Sequence, residues 1–342
     1  MLYLPFADIH ISYLLLLLAG ISTGVVIGFF GVSGSLILTP LLNFFGLPAG
    51  FAIGTNLTLL FGQSVLTTVK NSALKSVLWR FVFILGIAGM GGAYLGNRLL
   101  LSPEYAPVRD QAVRIVYAAI LFGIAALMTL DRFRAKNPAH YGRQFDRISW
   151  LAGKIKGIHA APMVLIPDSG GNSISLWLLV ALGAVCGFLS GGLGLSGSFI
   201  RIPFLVFVLG LPMLAALCTD ILVMSAVTGA GAVFFAGEGF TEPVAALLLL
   251  LSVGIGSKAG FAACHYTSRS RAKFPFIAGI TAFAGGVVAL QLNHPLAAAL
   301  FIPGTLLLLA LYIAISALAG LLYCRKHSAR LFLKNNSGAH QE

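Results

Sequence analysis

Charge is what this chain has least of. Asp, Glu, Lys and Arg make up 9% of its 342 residues, where a soluble domain carries about a quarter. None of the four occurs between Asp8 and Lys70, and none between Lys273 and Arg325. As helix, the first of these stretches would be roughly 90 Å long at about 1.5 Å per residue, near three bilayer thicknesses, so it must fold back on itself within a membrane. Hydrophobic residues form 58% of the chain and the mean hydropathy is +0.95, which excludes a water-facing globule. The N-terminus lacks the basic region and cleavage site of a signal peptide, and one signal anchor would not account for so much apolar chain. Cysteine is scarce. Cys186, Cys218, Cys264 and Cys324 lie in or beside apolar runs with no CxxC pair, so they read as small buried apolar side chains; neither a metal site nor any cofactor is expected.

What is present is a series of apolar runs, near 12–30, 35–46, 52–69, 79–100 and 113–130, then 174–193, 198–211, 214–236, 243–264, 276–292 and 297–323. A crossing needs about 20 residues, so the second and seventh runs read as half-helices or strongly tilted segments. The two series repeat each other. Gly31-Val-Ser-Gly-Ser-Leu-Ile-Leu-Thr-Pro40 matches Gly194-Leu-Ser-Gly-Ser-Phe-Ile-Arg-Ile-Pro203. Gly46-Leu-Pro48 then matches Gly210-Leu-Pro212, Ala52-Ile-Gly-Thr-Asn56 matches Ala216-Leu-Cys-Thr-Asp220, and Gly92 and Gly96 fall opposite Gly256 and Gly260. Four matches in one order mark a duplication. The expected layout is a first transmembrane repeat over 12–130, a connector over 131–173, a second repeat over 174–323 and a tail over 324–342.

The net charge of +12 does not point to nucleic acid, because the basic residues sit in loops between apolar runs, as the positive-inside rule arranges them. Placing the 70–80, 131–173 and 265–274 segments and the tail in the cytoplasm collects 17 of the 22 Lys and Arg. Arg98, Arg109 and Arg114 then fall outside with the N-terminus, while Arg201 and Lys258 lie within apolar runs. The two copies of the glycine-serine motif are entered from opposite sides, so the repeats are expected to be inverted about an axis in the membrane plane. The fold expectation is an all-α polytopic membrane protein of two inverted repeats, with broken helices at the Gly-x-Ser-Gly-Ser motifs.

Those breaks are the first candidate for chemistry. Glycine weakens a helix by about 1 kcal/mol relative to alanine, and serine competes for backbone hydrogen bonds. A break at membrane depth is tolerated only inside protein or beside a watery cavity. Ser33, Gly34 and Ser35 with Ser196, Gly197 and Ser198 could therefore line a substrate site, the half-helix N-termini offering partial positive charge. The bland alternative is close helix packing through small residues. Thr55 and Asn56, with Thr219 and Asp220, follow each break at matched spacing and could close the same site. Asp220 is the acidic residue well inside an apolar run, and Arg201 is the matching base; such groups are costly in lipid and mark a pathway or a pair. Arg201 is assigned to substrate, Asp220 and Lys258 to proton coupling, against a structural salt bridge for the first two and a snorkelling side chain for Lys258. His265 and His294 read as interfacial, and Trp79, Trp150 and Trp177 as interface-belt residues.

Gly31-Val-Ser33-Gly34 and Gly194-Leu-Ser196-Gly197 also match the Gly-x-Ser-Gly pattern around the nucleophile of rhomboid-type intramembrane serine proteases. That chemistry needs one serine and a helix histidine as base. Here the motif is doubled and no histidine is doubled with it, so an enzyme is not expected.

The order Gly31 to Pro40, Gly46 to Pro48 and Ala52-Ile-Gly-Thr-Asn56, followed by a basic loop and a glycine-rich run ending near Gly96, resembles the sulfite exporter TauE/SafE family of bacterial permeases. The second half repeats it less closely, and the resemblance covers about residues 12–130 and 176–323. Ser33-Gly34-Ser35 and Ser196-Gly197-Ser198 depart from the glycine triplet common in that family, and the 131–172 segment is longer than a short connector. The resemblance implies a secondary transporter of the bacterial inner membrane for a small sulfur-containing or organic anion, of the sulfite or organosulfonate class. Arg201 and Lys258 agree with an anion, and proton coupling through Asp220 would be compatible. The expected partners are that small anionic substrate and the lipid bilayer, with no nucleic acid; the sequence leaves the oligomeric state open. An anion channel and a non-transporting membrane assembly factor remain the alternatives.

Overall fold

The computed structural model describes residues 2–30, 34–70, 76–102, 104, 108–135, 162–165, 173–266 and 269–338. A short antiparallel hairpin, β1 (Leu2–Leu4) and β2 (Ile9–Ile11), precedes α1 (Tyr13–Phe30), α2 (Ser35–Phe44), α3 (Ala49–Lys70), α4 (Trp79–Leu101) and α5 (Arg109–Ala135). The second half begins likewise with a hairpin, β3 (Met163–Leu165) and β4 (Ser173–Ser175). It continues as α6 (Leu176–Leu193), α7 (Ser198–Pro203) with a π-helical turn over Phe204–Val208, α8 (Met213–Gly237), α9 (Pro243–Tyr266) and α10 (Arg269–Gln291). A long α11 (Pro295–Gly338) has no counterpart in the first half. Among the described residues, nine helices are long and apolar enough to cross a membrane, every one but α2 and α7. At the usual rise α2 is about 15 Å of helix and α7 about 9 Å, the latter extended by its π-helical turn, so each falls well short of a hydrocarbon core of about 30 Å.

The breaks fall at the glycine-serine motifs. α1 stops at Phe30 and α2 starts at Ser35; α6 stops at Leu193 and α7 starts at Ser198. In the second break both glycines take the left-handed conformation, Gly194 with φ +70° and Gly197 with φ +71°, which a β-carbon disfavours. Pro203 then ends α7's regular turn, since it has no N–H to donate, and the chain passes into the π-helical turn.

The major contacts run between halves. α1 lies along α9: Gly20 faces Ser252, Gly24 faces Val253 and Ser257, and Gly28 faces Ser257, so the two helices run parallel. α4 lies along α6 in the same fashion, with Gly183 against Leu85, Gly187 against Gly89 and Gly191 against Ala93. A β-carbon on Gly187 would stand 2.0 Å from the Gly89 carbonyl oxygen, and on Gly24 2.5 Å from that of Val253. These are small-residue interfaces of the kind that bring helix backbones together in lipid. α3 crosses α8 antiparallel, Gly54 meeting Phe235 while Phe61 meets Gly229. α3 also lies parallel to α9, with Thr55 at Glu242 and Gly62 at Leu250. Since α1 and α9 are parallel as well, α1 and α3 point the same way, and the short α2 between them has brought the chain back across. Ser35, Thr39, Asn56, Arg201 and Asp220 are buried in the middle of this arrangement.

Candidate functional site

The two breaks meet. The Ser196 backbone N–H donates to Ser35 Oγ at 3.1 Å, joining the second motif to the first. Asn56, from α3, reaches the same loop: its Nδ2 donates to the Gly194 carbonyl at 3.0 Å and to Thr39 Oγ1 at 2.9 Å. Tyr117 of α5, fully buried, donates its hydroxyl to the Leu193 carbonyl at the end of α6. The loop between α6 and α7 is thus held from three elements of the first half.

Arg201 and Asp220 complete the junction. Arg201 Nε donates to Asp220 Oδ1 at 2.6 Å, with side chains 1% and 4% exposed. Nη2 of the same guanidinium donates to the Ser196 carbonyl at 3.0 Å and lies 3.4 Å from Ser198 Oγ. Nη1 has no partner among the described residues, and neither has Asn56 Oδ1. A β-carbon at Gly197 would come within 2.8 Å of that Nη1, so only glycine there leaves room for the guanidinium. Taking two charges out of water costs several kcal/mol per ion, which a good ion pair largely offsets. The pair is therefore weak evidence for stability by itself.

The other residues singled out in the sequence divide. Gly34 caps α2, its carbonyl accepting from the N–H groups of Ile37 and Leu38. Ser33 lies outside the described residues. Thr55 and Thr219 are buried but turn away from the junction. Thr55 Oγ1 accepts the Glu242 N–H at 3.1 Å, just before α9, and Thr219 Oγ1 accepts the Leu78 N–H at 3.2 Å, just before α4. Each therefore tethers the start of a helix in the opposite half. Lys258 is exposed on α9, and the ion pair of Asp220 is with Arg201.

Sequence reasoning missed three features. Glu242, at the edge of an apolar run, is fully buried, and its Oε1 accepts the Ala7 N–H of the N-terminal hairpin at 2.5 Å. Nothing in its local sequence distinguishes it from a loop acid. Tyr117 carried no signal at all. The glycine ladders of α1 (Gly20, Gly24, Gly28) and α6 (Gly183, Gly187, Gly191) were legible as residues four apart, the spacing of close helix packing.

Nine membrane-length apolar helices and two short ones among the described residues, with a buried ion pair joining α7 to α8, define an all-α polytopic membrane protein. The chain belongs to the sulfite exporter TauE/SafE family, whose profile matches residues 16–287. It is also similar to a protein of Methanocaldococcus jannaschii described as a probable membrane transporter, with 25% identity over 197 residues, covering 56% of this chain and 60% of that relative. The chain thus spans about three fifths of the curated relative it matches. No solved structure matches it.

Proposed function

We propose that the protein is a secondary transporter of a small sulfur-containing or organic anion, of the sulfite or organosulfonate class, across the inner membrane. Arg201 binds the anion and Asp220 couples it to a proton. The observation that carries this reading is the buried Arg201–Asp220 pair at the meeting point of the two breaks, with Nη1 of the guanidinium still unpartnered. Asp220 and an arriving anion compete for one cation. A proton taken up by the Asp220 carboxylate removes the competing charge and leaves the guanidinium fork to the anion, whose binding it suits. Anion and proton then occupy the site together and leave together. Ser35, Ser196 and Ser198, the glycines Gly34 and Gly197, and Asn56 shape the surrounding polar wall, with Ser33 assigned to it by its motif. Thr55 and Thr219 support the wall from behind, by holding the helices that follow. Exposed Lys258 is left to the bilayer surface.

Alternating access would come from inverted repeats over 12–130 and 174–323. Two observations support this. Helices at matched sequence positions, α3 and α8, run antiparallel against each other, and the exchanged contacts α1 with α9 and α6 with α4 are what an axis in the membrane plane would generate. The 131–173 connector and the 324–342 tail belong to the cytoplasm on the basic-residue count, and the N-terminus to the periplasm. A continuous channel is the less supported reading, because Ser35, Asn56, Arg201 and Asp220 are all closed off from the surface in this conformation.

The test is flux in proteoliposomes against sulfite, sulfoacetate, taurine and simple carboxylates. Saturable uptake stimulated by a pH gradient is expected for one anion class. Asp220→Asn should abolish the gradient-driven component and spare exchange at equal pH. Non-saturating conductance would mean a channel, and no flux of any anion an assembly role.

A further inference from the structure

Three arginines, Arg98 on α4 and Arg109 and Arg114 on α5, belong to the membrane face where the basic-residue count expects few. Two of them have evident local roles. Arg114 Nε donates to Asn43 Oδ1 at 2.8 Å, and Arg98 Nε donates to the Tyr94 hydroxyl at 2.9 Å with its guanidinium over that ring. Arg109 is different. It opens α5, its guanidinium lies 5.6 Å from the centre of the Phe240 ring, and its buried Nε has no hydrogen-bond partner among the described residues.

Below Arg109 runs an open groove of about 430 Å³ between α4, α5 and α6. Gly96, Leu100, Val113, Val116, Phe188 and Leu193 are among the residues that line it, and Arg109 is the charged residue in its wall. That volume lies within the range of built small-ligand sites, about 300–1,000 Å³. A cation at the helix end with an apolar trough leading toward the membrane interior matches an amphiphile with an anionic head and a hydrocarbon tail. A small hydrophilic anion would leave the trough unfilled, and a zwitterionic lipid would leave Arg109 without net complementary charge.

We infer that this groove is a binding site for an anionic phospholipid, its phosphate on Arg109 and an acyl chain between α4, α5 and α6. The chain would lie against Leu189 and Leu193, the last turn before the loop that carries Ser196. The site is independent of what the protein transports.

The experiment is native mass spectrometry of the full chain, delipidated in detergent and titrated with phosphatidylglycerol or phosphatidylcholine of equal chain length. Phosphatidylglycerol should be retained preferentially at one site. Arg109→Gln should weaken it by about fivefold, the value of one cation near an anionic lipid surface, and Arg109→Lys should keep most of the preference. Ala112→Phe, which fills the groove and leaves Arg109 in place, should lower retention of both lipids. Melting temperatures of the variants establish that they are folded. Equal retention of the two lipids, or Arg109→Gln without effect, would overturn the inference. So would displacement of the lipid by inorganic phosphate alone, which would indicate a small-anion site, or cross-links between α4 and α5 of two copies, which would show a second chain covering the groove.

Discussion

The two halves differ most where they match the buried ion pair. In the first half, Leu38 and Asn56 stand where the second has Arg201 and Asp220. Leu38 is buried among apolar neighbours, and Asn56 donates across to the Gly194 carbonyl of the other half's loop. In the second half the same two positions hold a buried ion pair that stays within its own half. The supporting contacts did not diverge in this way: Thr55 holds the start of α9 as Thr219 holds the start of α4. The glycine ladders of α1 and α6 are likewise equivalent. A duplicated scaffold keeps the contacts that hold it together in both copies. It can concentrate charge in one copy, because each further buried pair would add a desolvation penalty.

The largest expected effect comes from breaking the pair. Arg201→Leu leaves Asp220 buried and unpaired, and should cost about 3–5 kcal/mol, read as a fall in melting temperature in detergent. Adding Asp220→Asn makes the second half carry the residues of the first. This double variant should recover most of the lost stability and show no anion flux. Recovery of both would remove the functional distinction between the halves. Next in size are the ladders. Gly187→Ala and Gly24→Ala each push a β-carbon into a backbone carbonyl, and each should destabilise by about 1–3 kcal/mol, the usual range for overpacking. A tolerated Gly187→Ala would mean that α4 and α6 do not meet as closely as α1 and α9.

Asn56→Ala removes one donor from both Gly194 and Thr39. A loss of about 1–2 kcal/mol is expected, with the anion affinity changing less than in any Arg201 variant, as measured by substrate protection in thermal melts. The smallest effects test the tethers. Thr55→Val and Thr219→Val each leave one helix-initiating N–H without its acceptor, worth about 0.5–1.5 kcal/mol. Equal losses would sharpen the equivalence of the halves, and a loss in one alone would break it.

Much of the fold could be read from the chain because bilayer physics acts on simple sequence properties. The apolar runs became helices, with the ends of α1, α3, α4, α6, α8 and α9 within about three residues of those expected, while α7 stopped short of its run and α10 began several residues before its own; the glycine-serine motifs became the breaks. Arg201 and Asp220, the conspicuous charges inside apolar runs, were both legible as a pair, since neither could remain alone in lipid. The direction of each side chain was not legible. Adjacent residues on a helix point about 100° apart, so Thr55 and Asn56, side by side in sequence, serve a helix end and the central junction respectively. Lys258 faces outward for the same reason.

The sequence by itself determined the crossings, the interruptions and the duplication, because these depend on hydropathy, on glycine's backbone freedom and on order along the chain. Only the tertiary structure decided that α1 packs on α9 and α4 on α6, that Ser35 meets Ser196, and that Glu242 is buried beneath the N-terminal hairpin. Each of these joins residues more than 150 positions apart or more than one helix away, and such partners are selected by surface shape and by the need to satisfy every buried polar group, neither of which leaves a local trace in the chain.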